Sequence, residues 1–191
     1  MNTVEQSTQA TVEVKQSKFI AHLVPISEFE GLQEKLRAAH PKSRHVVYAL
    51  RRLNSYDQIV ENSSDDGEPK GSSAVPVLNV LRGEEMINCA VLIVRYFGGT
   101  KLGIGGLVRA YTQVVKEVIA LSNIKKYEKL HIFSYQSDYA AVQRIEYLLE
   151  QVDILDVKKE FSSNVSWTVT TTQEKIDAFK ELAGRAITCS V

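Results

Sequence analysis

The chain has 191 residues and a mass of 21.4 kDa, with 23 Lys and Arg balanced by 23 Asp and Glu. Apolar residues make up 44% and charged residues 24%, values that exclude a collagen-like, low-complexity or broadly disordered chain. The zero net charge also excludes a strongly basic global field, so any nucleic-acid contact must come from a local patch.

The length allows one large domain or two small ones. The cysteines, Cys89 and Cys189, lie 100 positions apart with no short-spaced partner, so no structural zinc set is present. Cys89 opens an apolar run and reads as a small buried thiol. Met1 to Ala10 is polar, without the apolar core of a secretory signal, and no stretch approaches the ~18 apolar residues that span a bilayer. The expectation is a cytoplasmic protein without membrane contact.

Thr11 to Val14 and Phe19 to Ile26 read as two short strands with a polar hinge at Gln16–Ser17. Ser27 and Glu30 have capping-box spacing ahead of a helix carrying Phe29, Leu32 and Leu36, which ends at His40–Pro41. His45 to Leu50 is a strand, followed by Arg51–Arg52 as a solvated end and a polar stretch to Asn62. Ser64 to Gly71 (SDDGEPKG) is a turn or loop. A helix then runs from about Ser72–Ser73 to Gly83, with Pro76 in its first turn and Val77, Leu78 and Leu81 inward. Cys89 to Val94 (CAVLIV) has the continuous apolar character of a central strand buried on both faces.

Gly98 to Gly106 holds five of the ten glycines. A helix follows from about Gly105 to Ser122, with a buried stripe from Leu107 to Ile119 and Arg109, Gln113 and Lys116 on the opposite face.

Lys125–Lys126 reads as a charged linker, placing a boundary between domains 1–123 and 127–191. The remainder reads β-α-β-β-α-β, a ferredoxin-like pattern. Leu130 to Gln136 is its first strand, and Asp138 caps a helix with Ile145 and Leu149 inward. Leu155, Val157 and Phe161 form the inner face of a half-buried strand, and Val165, Trp167 and Val169 that of the next. Thr171 and Glu174 cap a helix with Ile176, Phe179 and Leu182 inward, Gly184 closes it, and Ala186 to Cys189 is the last strand.

A buried strand feeding a glycine-rich turn and a helix start suits an anion, because the first helical amides lack partners and the dipole is positive there. Arg95, Lys101 and Arg109 add full charges around Gly98, Gly99, Gly103, Gly105 and Gly106. The loop matches neither a Walker A nor a GxGxxG pattern, which argues against nucleotide hydrolysis. A purely structural strand-to-helix crossover remains the competing reading.

Asp65, Asp66 and Glu68 form an acidic turn without calcium-loop spacing. Turn geometry plus a salt bridge to Arg51, Arg95 or Lys101 is the preferred reading over chemistry. His45 is a base or a hydrogen-bonded structural residue, and His131, Phe133 and Tyr135 share a strand face on which bases could stack.

SSDDGEPKG at 63–71 and VRYFGGTKLGIGGLVRAY at 94–111 resemble the signature of the IMPACT family, in particular its bacterial YigZ branch; KQSKFIAHLVPI at 15–26 and HVVYALR at 45–51 support the likeness. The resemblance covers about residues 12–122 and implies an α+β first domain like ribosomal protein S5 domain 2, with helices on one sheet face. The ferredoxin-like second domain agrees with it. The pair resembles domains IV and V of elongation factor G. Eukaryotic members regulate translation through a partner of a stress kinase that bacteria lack.

The family usually follows the acidic turn with a GTAG-and-basic run, whereas this chain has Gly71–Ser72–Ser73–Ala74–Val75. The resulting expectation is a non-catalytic, cofactor-free translation module that binds RNA, the ribosome or a regulatory protein through its basic glycine loop. A metal-dependent hydrolase acting on a small phosphorylated or peptide substrate through the acidic turn and His45 is the alternative, and a protein-interaction module a further one.

Overall fold

A computed structural model of the chain describes residues 1–189. It divides into two compact units, Met1–Tyr127 and Glu128–Val191. In the first unit the elements are β1 (Asn2–Val4), β2 (Thr8–Val14), β3 (Ser17–Pro25), α1 (Leu32–Ala39), β4 (His45–Leu53), β5 (Ile59–Ser64), α2 (Ala74–Gly83), β6 (Cys89–Tyr96), α3 (Gly103–Leu121) and β7 (Ile124–Lys126).

Five strands form one sheet in the order β2-β3-β6-β4-β5, and every pairing is antiparallel. The apolar run CAVLIV accordingly occupies the centre, and Cys89 to Val94 are fully buried. Alternation splits its side chains between two cores. Cys89, Val91 and Ile93 pack with α2 and α3, whereas Ala90, Leu92 and Val94 pack with Leu36 of α1 and with Phe29. Helices therefore cover both faces of this sheet, not one. The β2–β3 hairpin closes through Lys15 and Gln16, both with positive φ, the geometry of a two-residue turn that follows strand twist.

Several local expectations are corrected. Ser27 lies in a 3-10 turn, Ile26–Glu28, and α1 starts after Gly31 with no side-chain cap. The polar stretch after Arg52 contains β5, an edge strand with a single partner. Arg51 is not a solvated end: it is 9% exposed, pairs with Glu61 at 2.9 Å and donates to the Leu81 and Met86 carbonyls at the end of α2. Lys125–Lys126 is not a linker, because β7 pairs with β1.

The second unit contains β8 (Leu130–Ser137), α4 (Val142–Gln151), β9 (Val157–Phe161), β10 (Val165–Thr172), α5 (Gln173–Ala183) and β11 (Thr188–Cys189). Its antiparallel sheet runs β11-β8-β10-β9, that is fourth, first, third and second strand of the unit. Val165, Trp167 and Val169 form its core with Tyr135, Ile145, Leu149 and Phe179.

The face expected to stack bases is therefore that core: Tyr135 is 1% exposed and Phe133 packs against the same cluster. Leu155, Phe161 and Leu182 were expected inward and are instead exposed, at 82%, 62% and 48%. Asp138 precedes a short 3-10 turn and makes no side-chain cap bond. The cap of α5 is Thr172 rather than Thr171, its hydroxyl accepting from the Lys175 amide at 3.4 Å.

Candidate functional site

The acidic turn resolves into three carboxylates, each held by its own set of partners. Asp65 closes the start of α2: Oδ1 accepts from the Ser73 hydroxyl at 2.6 Å and the Ala74 amide at 2.8 Å, and Oδ2 from the Gly71 amide at 2.8 Å. Burial pushes its carboxyl upward, but these hydrogen bonds outweigh that cost and leave it below the usual value. Asp66 pairs with Arg37 and accepts from the Val46 amide at 2.6 Å, tying the turn to α1 and β4.

Glu68 alone reaches inward. Its Oε1 accepts from Arg95 Nη1 at 2.6 Å and from the Tyr111 hydroxyl at 2.8 Å, while its side chain is only 2% exposed. Burial, and next the charge of Glu68, push the Tyr111 hydroxyl upward, so it stays a donor. Arg95 Nε is buried and has no hydrogen-bond partner among the described residues, and its guanidinium lies 5.5 Å from the centre of the Phe19 ring.

His45, the first residue of β4, completes this floor. Its Nδ1 lies 2.7 Å from the Asp66 carbonyl oxygen. A carbonyl can only accept, so Nδ1 carries the proton and Nε2 of the neutral ring is an acceptor. Nε2 lies 4.0 Å from Glu68 Oε2, beyond hydrogen-bond reach.

Above the floor opens a pocket of about 340 Å³. Lys101, Leu102 and Gly103 bring the N-terminus of α3 to its wall; the helix runs for 19 residues and has no side-chain cap at its start. Its unpartnered amides and positive dipole end are thus at the pocket. The helix begins at Gly103, not Gly105, and Gly103 has φ +71°, a conformation that side chains with a Cβ rarely adopt. Arg44 and Phe97 form another wall, with the guanidinium 5.6 Å from the ring centre. Pro69, Ile104 and Leu107 supply apolar surface.

Of the expected site residues, His45, Glu68, Arg95, Lys101 and Gly103 meet here. The others do not. Arg109 is exposed on α3, its guanidinium 3.7 Å from where a side chain on Gly105 would begin. Gly98 is packed against the β2–β3 turn and its amide donates to Ser17 Oγ at 3.1 Å, so it holds the loop in place. Gly99 is an exposed turn residue, and Gly105 and Gly106 lie in the first turn of α3 beside the pocket lining. Asp65 and Asp66 are spent on structure, and among the described residues no three His, Cys, Asp or Glu side chains gather as metal ligands. The Gly71–Val75 stretch that departs from the family pattern lies at the start of α2, outside this pocket.

Arg44 and Phe97 were missed. Phe97 had a signal, an aromatic residue immediately before the paired glycines; Arg44 had none.

Both signature segments quoted above contribute residues to this pocket, and comparison with known proteins establishes the family. Residues 15–119 match the Impact N-terminal domain, so the chain belongs to the IMPACT family. An IMPACT family member from Haemophilus influenzae is 31% identical over 173 residues, covering 87% of this chain and 82% of its own length. YvyE of Bacillus subtilis is 30% identical over 182 residues (94% and 83%), and YigZ of Escherichia coli 32% over 170 residues (87% and 83%). A solved crystal structure of a hypothetical protein, 28% identical, superimposes with a TM-score of 0.64 over 100% of this chain and 96% of its own. No helix among the described residues is long and apolar enough to cross a membrane.

Proposed function

We propose that the chain is a non-catalytic, cytoplasmic translation module that binds single-stranded RNA through the pocket at the start of α3. One observation carries this reading: an open, largely apolar pocket with cations at its rim and an uncapped helix start in its wall. A phosphate suits the amides, Lys101 and Arg44, and an unstacked base suits Phe97, Pro69 and Leu107. The fold reading belongs with it. The first unit is taken as S5 domain 2-like with an added helix on the second face. The second is taken as ferredoxin-like, supported by its fourth-first-third-second strand order.

The test is fluorescence anisotropy with a labelled single-stranded RNA. The double variant Arg44→Ala/Lys101→Ala should bind about tenfold more weakly or worse, with an unchanged melting temperature. Arg109→Ala, whose side chain lies outside the pocket, should bind like the wild type. Equal affinity of wild type and double variant would remove the proposal.

A further inference from the structure

The pocket floor carries two hydrogen-bond acceptors and no ligand-facing partner for either. Oε1 of Glu68 is already used by Arg95 and Tyr111, which leaves Oε2. The ring orientation of His45, fixed by its bond to the Asp66 carbonyl, leaves Nε2. They stand 4.0 Å apart, too far to satisfy each other, with side chains 2% and 19% exposed. Acceptors so placed call for a group with two N–H protons set between them.

The rim decides which kind of amine that is. Arg44 and Lys101 flank the entrance and Arg95 lies beside Glu68, so a lysine or arginine side chain of a protein partner would have to pass like charges. A neutral amine on a flat, apolar body whose outer edge is anionic meets no such conflict. A nucleotide whose base carries an exocyclic amino group has this distribution. At about 340 Å³ the pocket lies at the small end of ordinary ligand sites, about 300–1,000 Å³.

Resting on the RNA-binding reading above, the geometry points to Glu68 and His45 as a base-reading pair that selects adenine, cytosine or guanine over uracil. Uracil has no exocyclic amine; its edge offers two carbonyl oxygens around a single N–H, and those oxygens would face the two acceptors. Failure to match a buried polar group is what gives such sites their discrimination.

The experiment compares labelled r(A)12, r(C)12 and r(U)12 on the full chain. The wild type should bind the first two at least about tenfold more tightly than r(U)12. In Glu68→Gln, Arg95 still requires an oxygen, so the amide NH2 turns to the pocket; the preference should shrink or reverse toward r(U)12. Circular dichroism confirms that the variant is folded, and the wild-type ratio stands as a test without it. Equal binding of all three oligonucleotides overturns base reading while leaving RNA binding intact. Binding of none of them overturns both, as does capture of a lysine- or arginine-rich peptide in preference to RNA.

Discussion

Asp65 illustrates how much one side chain can hold. Its four accepted bonds join the acidic turn to the first turn of α2. Because the folded state binds its proton less tightly than an unfolded chain does, the charged form stabilises the fold. That contribution is complete above the ordinary aspartate value of about 3.9 and is lost as pH falls through the lower folded value. In urea unfolding at stepped pH, Asp65→Ala should therefore be clearly less stable than wild type near neutrality, with the gap closing below about pH 4. A gap independent of pH would remove the charge from this account. Gly98 and Gly105 make a second residue-scale contrast. A Cβ on Gly98 would lie 2.0 Å from the Gln16 carbonyl carbon, so Gly98→Ala must move backbone. It should cost about 1–3 kcal/mol or more in urea denaturation. At Gly105 the nearest atom is the mobile end of Arg109, and Gly105→Ala should stabilise by up to about 1 kcal/mol through helix propensity.

Elements with a strong hydrophobic signature are legible in the sequence, and those stabilised by pairing alone are not. The run CAVLIV could hardly be anything but a core strand, and the alternation at Val165, Trp167 and Val169 named its own buried face. By contrast IVENSS is a strand because its backbone pairs with β4 and Glu61 lies opposite Arg51, neither of which leaves an apolar pattern. The pocket was legible in part for the same reason. Its strand, turn and helix were read from local chemistry, whereas Arg44 enters from a loop whose position depends on the sheet. The cap of α5 shows how fine such boundaries are: Thr171 and Thr172 differ by one position, yet Thr171 is buried at 6% exposure while the Thr172 hydroxyl meets the helix. Thr172→Ala should lower stability by about 0.5–1 kcal/mol in the same urea assay, at the low end for caps because the bond is long. An unaltered midpoint would show the cap to be idle.

For the molecule as a whole, the balance of 23 positive and 23 negative side chains limits what electrostatics can do. Arg95 is neutralised by Glu68, leaving Arg44 and Lys101 as the cations of the pocket rim. Two phosphate contacts on a single strand correspond to a slope of about −1.4 in log affinity against log salt. A titration between low and moderate salt checks this; a slope several times steeper would mean that a broader surface carries the binding. Specificity would then rest with the neutral and buried groups, where screening is weak.

The pairing of β1 with β7 has a consequence for how the first unit is completed. Glu5 and Lys125, joined by an ion pair, are 120 positions apart. During biosynthesis β1 can first bridge to Met86, and its antiparallel partner β7 arrives only when nearly the entire unit has been made, sealing the seam. A fragment cut at residue 123 would lose β7 and leave β1 held through Glu85, Met86 and Ile87. One cut at 127 would keep the seam shut.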